Sequence, residues 1–133
     1  MKLRIKGNTI RLRLTRPEVE GLGASGVLEE RTRFGDDAEL VYRLVVDASA
    51  TTPGATFVGG VVAVTLPAAV AQRWARENVV GLEHAVALRD GGELRILVEK
   101  DFACLDRSMA AGDDQQGAYP NPGVCRSLGN AED

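Results

Sequence analysis

Hydrophobic and charged residues alternate along much of the chain, in short runs that end at turn signals. Leu3 and Ile5 alternate with basic residues, and after a Gly-Asn turn the pattern resumes at Ile10, Leu12 and Leu14. A period of two is typical of strands with one buried face. The same criteria predict further strands over residues 27–34, 39–46, 56–58, 61–66, 79–88 and 93–100.

Two proline-containing segments predict short helices. Thr15 precedes Arg16 and Pro17, and a threonine caps free N–H groups while proline has no N–H to leave unpaired. Pro67 opens the second helix, which we expect to continue to about Asn78. Three glycines predict an early end of the first helix, at Gly21, Gly23 and Gly26.

The order strand-strand-helix-strand-strand occurs twice. The matched positions are 14–17 with 64–67, 27 with 79, and 39–40 with 93–94. An internal duplication of a unit of about 45 residues explains this order. Two unrelated units that share common capping chemistry explain it as well, and both interpretations are open at this point.

A single unit of this kind leaves its apolar face exposed, whereas two units bury their faces against each other. Closing the strands into a barrel also removes unpaired edges. We therefore expect an α+β fold, mainly antiparallel β, in which duplicated ββαββ units form a small pseudo-two-fold barrel with two short helices. The expected barrel domain covers residues 1–105, as half one (1–47), a small-residue linker (48–55) and half two (56–105).

We expect residues 106–133 to form an irregular C-terminal extension. The alternation ends there, and Gly, Ala, Asp, Gln, Pro and Ser dominate. Such a composition is typical of a surface extension or of a partly disordered tail. The alternative is a tail that docks Tyr119 and Leu128 on the barrel.

Composition predicts a cytoplasmic protein that does not enter a membrane. The 133 residues fit one domain, and no apolar run approaches the roughly 18 residues that a membrane span needs. The start alternates charge with hydrophobe, unlike a secretory signal. Cys104 and Cys125 are then expected as thiols. In an exported protein they would instead form one disulfide.

Basic residues concentrate at the start of the chain, although the net charge is -3. Residues 1–16 contain no acid and six bases, which are Lys2, Arg4, Lys6, Arg11, Arg13 and Arg16. They form either a solvated strand face that acidic loops compensate or a cationic patch for an anionic partner. The sequence pI of about 5.2 disfavours duplex DNA, and no aromatic residue interleaves the bases for single-strand stacking.

The sequence contains no recognisable combination of catalytic residues. His84 is the only histidine, and no serine or cysteine has the signature of a nucleophile beside it, so we assign no catalytic residue and expect no cofactor. A weak metal hypothesis draws on Asp101, Cys104, Asp113 and Asp114, near the end of the last strand and in the extension. A zinc site would need Cys104, Cys125, His84 and one acid, and the spacing of these residues matches no recognised zinc motif. The alternative is that the acids are caps and loop residues.

Each half resembles a known family at its strand-Pro-helix entry. Residues 9–19 and 61–70 are similar to the swapped-hairpin family of bacterial transition-state regulators. This resemblance implies a swapped-hairpin barrel and DNA binding, as a dimer or a tandem duplication. A double-psi barrel has a similar order of elements and is an alternative. The strand over residues 61–66 carries no base, which departs from the DNA-binding pattern.

Nearly the whole chain resembles a small bacterial family of unknown function. The resemblance rests on residues 1–8, 99–105 and 119–122, and it implies that the region after the last strand belongs to the family pattern. We therefore predict a non-enzymatic binding or interaction module of the bacterial cytoplasm, with a protein partner or a second copy of the chain as possible partners. The alternatives are a DNA-binding regulator and a small metal-dependent enzyme.

Overall fold

The alternating segments form eight strands and the two proline-led segments form helices in the structure, a computed structural model that describes residues 1–101. In chain order the elements are β1 (Lys2–Lys6), β2 (Thr9–Leu14), α1 (Arg16–Ser25), β3 (Val27–Arg33), β4 (Glu39–Asp47), β5 (Gly54–Val58), β6 (Val61–Pro67), α2 (Ala68–Arg76), β7 (Gly81–Ala87) and β8 (Glu93–Lys100). The predicted α+β class, rich in strands and with two helices, is confirmed. Neither described helix is long and apolar enough to cross a membrane.

The strands form two four-stranded sheets. The first sheet has the order β1-β2-β8-β7 and the second has the order β3-β4-β6-β5. Each sheet therefore combines one antiparallel hairpin from each half of the chain, and the hairpins meet at parallel pairs, β2 with β8 and β4 with β6. Both sheets are mixed for this reason. Closure of the strands into a barrel stays a prediction.

Backbone hydrogen bonds recur at corresponding places in the two halves. The amide-to-carbonyl pairs are Val41 to Gly60 and Arg95 to Asn8, each 3.0 Å, and Val46 to Gly26 and Lys100 to Val80, each 2.8 Å. These pairs match β4 with β8 and the β1-β2 turn with the β5-β6 turn. Positions matched in this way are called equivalent below.

The structural match between the two halves differs from the sequence-based match at two places, positions 14 and 27. Leu14 lies beside Lys100 and Leu66 lies beside Val46, so Leu14 is equivalent to Leu66 and not to Val64. By the same register Val27 is equivalent to Gly81. Matching the two prolines misaligned the strands because one proline lies inside the first turn of α1, whereas the other is the N-cap of α2.

The core lies between the inward faces of the strands and the two helices. Within residues 1–101 the largest fully buried side chains come from the four strands of the parallel pairs, and they are Leu12, Leu14, Leu44, Val64, Leu66, Ile96 and Val98. Leu22 of α1 and Ala71 and Trp74 of α2 join the same cluster. Burial of one leucine-sized side chain contributes about 1.5–3 kcal/mol, so these central strands supply much of the stability.

Helix α1 is longer than expected, because two of its glycines lie inside it. Thr15 accepts a hydrogen bond from the Glu18 amide and Glu18 bonds back to the Thr15 amide, which together form a capping box. The helix continues through Gly21 and Gly23 and ends at Gly26, whose φ of 81° is left-handed. A left-handed residue stops a helix, whereas an interior glycine only weakens it.

Some sequence expectations fall beyond residues 1–101. The expected extension over 106–133, the docking of Tyr119 and Leu128, and the state of Cys104 and Cys125 all lie outside the described residues.

Candidate functional site

Five of the six candidate bases lie on one face of the first sheet. In the β1-β2 hairpin Lys2 lies opposite Arg13 and Arg4 opposite Arg11, and Lys6 begins the third row. Leu12 and Leu14 alternate with the β2 bases and are buried, so the bases project from the outer side. We call this surface of β1 and β2 the basic face. Rows two residues apart are separated by about 6.7 Å along the strands.

Strand β8 extends the basic face with an acid, Glu99, whose contact with the bases was not predicted from the sequence. Parallel pairing places Glu99 beside Arg13. The Glu99 carboxylate lies 3.5 Å from Nη2 of Arg13 and 3.8 Å from Nε of Arg11. Ile96 and Val98 of β8 are buried, so Glu99 lies on the outer face, and no local signal in the sequence revealed that β8 pairs with β2.

The remaining basic positions differ in their surroundings. Lys2, Arg4, Arg11 and Arg13 all take part in further polar or electrostatic interactions. Arg16 lies apart from the strand rows, in the first turn of α1, where its guanidinium pairs with Glu20 at 3.6 Å. Arg95 of β8 adds another base to the outer side of the first sheet and forms an ion pair with Glu83 of β7.

The second sheet has neutral residues where the first has the basic face. The equivalents of Lys2, Arg4, Lys6, Arg11 and Arg13 are Gly54, Thr56, Val58, Ala63 and Thr65. The hairpins have the same register in both sheets. The same hairpin register therefore occurs with bases in the first sheet and with neutral residues in the second.

Four charged residues on the outer side of the second sheet are paired with one another. Glu29 lies 2.8 Å from Arg31 and 3.0 Å from Arg43, and Arg31 also lies 2.7 Å from Glu39. The hydrogen bond from Arg31 and the charges of both arginines lower the pKa of Glu29. Among residues 1–101, acids and bases balance on that surface, whereas bases outnumber acids on the basic face.

The N-terminal ammonium group forms a second cluster of charges, beside the core. It pairs with Glu18 of α1 and lies 3.1 Å from Glu30 of β3, while the Tyr42 hydroxyl donates to the Met1 carbonyl oxygen at 3.1 Å. Desolvation alone would lower the pKa of the ammonium and raise that of Glu18. Their mutual hydrogen bonds and charges outweigh it, so the pKa of the ammonium is raised and that of Glu18 is lowered.

The metal hypothesis has one residue in the described part of the chain. Asp101 is exposed, and its amide donates to the Leu14 carbonyl oxygen at 2.8 Å. Cys104, Asp113 and Asp114 lie outside the described residues. Within residues 1–101 no three His, Cys, Asp or Glu side chains are grouped so as to hold a metal ion. His84 lies on the core-facing side of β7, opposite Ile96.

Comparison with known proteins gives one match. A family model described as a family of unknown function, DUF7009, matches residues 1–123. No curated protein and no solved structure is significantly similar to the chain. The resemblance expected from both ends of the chain is confirmed at this level, and the swapped-hairpin resemblance stays a prediction.

Proposed function

The chain belongs to this family of unknown function, and we propose that it is a non-enzymatic binding module of the bacterial cytoplasm that holds an anionic partner on the basic face. The observation that carries the proposal is the contrast between equivalent positions. Five bases of the first sheet correspond to five neutral residues of the second. The second sheet keeps the same hairpin register without these bases, and this contrast supports a role for them in recognition.

The geometry of the basic face suits an extended polyanion. Its bases stand in rows across two neighbouring strands, about 4.8 Å apart between strands and about 6.7 Å apart along them. A ladder of this kind meets repeated phosphates or carboxylates without reading their order. Glu99 fixes Arg11 and Arg13 between the strands, so an incoming anion meets guanidinium groups that are already ordered.

A DNA-binding regulator is the second candidate. Each sheet combines one hairpin from each half, and this exchange agrees with the swapped-hairpin topology that the resemblance implies. We infer an internal duplication that produced both halves, and a pseudo-two-fold barrel as its product. The neutral second sheet and the acidic pI of about 5.2 favour a partner other than duplex DNA.

The proposal is tested by polyanion binding at low salt. The probes are duplex DNA, single-stranded DNA and polyglutamate, and the variant carries Lys2→Gln, Arg4→Gln and Lys6→Gln. These positions are exposed on the edge strand β1, so the fold is expected to tolerate the changes. We expect the wild type to bind a polyanion with an affinity that falls as the salt concentration rises. The variant is expected to bind at least about tenfold more weakly.

The matched control neutralises the same number of charges elsewhere. Arg33, Arg76 and Arg89 are exposed and lie outside the basic face, so Arg33→Gln, Arg76→Gln and Arg89→Gln together are expected to leave binding nearly unchanged. Binding of polyglutamate alone would identify an acidic protein partner, and binding of DNA would favour the regulator. Absence of binding to every probe, or equal loss in both variants, would contradict the basic face as the site.

A further inference from the structure

The four edge strands differ in how they are protected against pairing. The edges of the two sheets are β1, β7, β3 and β5. Lysine and other charged side chains on an edge oppose pairing with another chain. Strands β1, β3 and β7 each carry at least one charged residue, whereas β5, with the sequence Gly-Ala-Thr-Phe-Val, carries none.

The hairpin register shows which backbone groups of β5 face outward. Val58 and Val61 flank the two-residue Gly59-Gly60 turn and pair with each other. Residues that close a two-residue hairpin exchange hydrogen bonds, and the pairing then alternates along the strand. The N–H and C=O groups of Ala55 and Phe57 therefore point away from β6. Within residues 1–101, β5 pairs with no other strand.

The side chains at this edge are apolar and accessible. Phe57 is 70% exposed and Val58 is 73% exposed. The equivalent strand β1 has Ile5 and Lys6 at these two positions. The same backbone edge thus carries a charge in one half of the molecule and none in the other.

We propose that β5 is a self-association edge, which pairs antiparallel with β5 of a second copy of the chain. With Thr56 opposite Thr56 of the second copy, Ala55 faces Phe57 and Phe57 faces Ala55, so the outward groups of both strands are satisfied in hydrogen-bonded pairs. No like charges oppose each other in this register. An antiparallel β1-β1 pair centred on Arg4 would place arginine against arginine and lysine against lysine.

The dimer is expected to be weak, because the paired strands have five residues each and small interfaces are typical of transient complexes. The test is sedimentation velocity over a wide range of protein concentrations, together with hydrogen exchange of single backbone amides. We expect the sedimentation coefficient to rise with concentration. The amides of Ala55 and Phe57 are expected to become protected in parallel.

Two variants at equivalent positions separate this edge from the others. Phe57→Lys places an edge lysine on β5, and Ile5→Lys places the same residue on β1, where the side chain is 57% exposed. We expect Phe57→Lys to raise the dimer dissociation constant about tenfold or more, which corresponds to about 1.4 kcal/mol. Ile5→Lys is expected to leave it nearly unchanged, and circular dichroism checks that both variants fold.

Three outcomes would overturn the proposal. The first is a wild type that is monomeric at every concentration. The second is equal weakening of the dimer by both lysine variants, and the third is a dimer in which the Ala55 and Phe57 amides stay unprotected. Weakening by Phe57→Lys alone, with protection of the two amides in the wild type, supports pairing through β5. Binding to the basic face is measured separately in both variants, so loss of the dimer is distinguishable from loss of that site.

Discussion

Gly81 lacks a side chain at a place where the first sheet has no room for one. A Cβ atom there would lie 2.9 Å from Cγ of Glu99 and 3.0 Å from the Val98 carbonyl oxygen. We expect Gly81→Ala to displace Glu99 from Arg11 and to destabilise the protein by roughly 1–3 kcal/mol, the usual cost of overpacking. Urea unfolding measures this change in the free energy of unfolding.

Gly92 supplies the control for this substitution. A Cβ atom at Gly92 would lie 3.8 Å from the Leu88 side chain, which is ordinary van der Waals contact. Gly92→Ala is therefore expected to change the free energy of unfolding by less than about 0.5 kcal/mol. Equal stability of the two variants would show that the close approach of Gly81 to Glu99 does not constrain the sheet.

Individual residues of the basic face were predictable, but their counter-ion was not. The alternation of bases with Leu3, Ile5 and Leu12 places those bases on one side of a strand, because the period of a strand is two. Glu99 lies more than eighty residues away in sequence from Arg11 and Arg13. Its position beside them follows from the parallel pairing of β2 with β8, which no local pattern specifies.

At the scale of the elements, helix α1 makes a prediction about its two kinds of glycine. Gly23 lies inside the helix with no atom within 4 Å of an added Cβ, whereas Gly26 ends the helix at a φ of 81°. We expect Gly23→Ala to stabilise the protein by about 0.5–1 kcal/mol, because alanine has the higher helix propensity. Gly26→Ala is expected to destabilise it by about 1–2 kcal/mol, because alanine is strained in the left-handed region.

Thermal unfolding of the two alanine variants checks this difference. Because both changes add the same methyl group to the same helix, opposite shifts of the melting temperature isolate the effect of backbone conformation. Shifts of the same sign would contradict the assignment of Gly26 as the helix end.

The elements were predictable from local patterns to within a few residues, but their partners were not. Period-two alternation located the strands, and β8 has the bounds that were expected, Glu93–Lys100. Hairpins β1-β2 and β7-β8 followed from turns between neighbouring strands. The joining of these two hairpins in one sheet depends on which apolar faces fit together across the whole core, and an alternating pattern does not encode that choice.

At the scale of the molecule, the two sheets have the same arrangement of strands but two different surfaces. The first sheet presents rows of bases, and the second presents neutral residues flanked by paired charges. The net charge of -3 conceals this difference because it averages over both. The acidic pI therefore disfavoured duplex DNA, whereas the distribution of charge over the fold is the basis of the proposed anionic partner.

Met1 joins three elements of the molecule: its ammonium pairs with Glu18 of α1 and Glu30 of β3, and its carbonyl oxygen accepts a hydrogen bond from Tyr42 of β4. The pKa of Glu18 is lowered from 4.5, so the stability that this carboxylate contributes is present above pH 4.5 and is lost as pH falls through the folded value. The pKa of the ammonium is raised from 8.0. Its contribution is present below pH 8.0 and is lost as pH rises through the folded value.

Glu18→Gln tests this pH window, because glutamine keeps the capping box and removes the charge. At pH 7 we expect the free energy of unfolding to fall by about 1 kcal/mol, since the ion pair is partly exposed. The difference from the wild type is expected to shrink in strong acid and in strong alkali, where one partner of the pair is neutral. Glu20→Gln removes an exposed charge of the same helix and is expected to have little effect. A loss for Glu18→Gln that is constant from acid to alkali, measured by urea unfolding, would show that the ion pair with Met1 does not stabilise the fold.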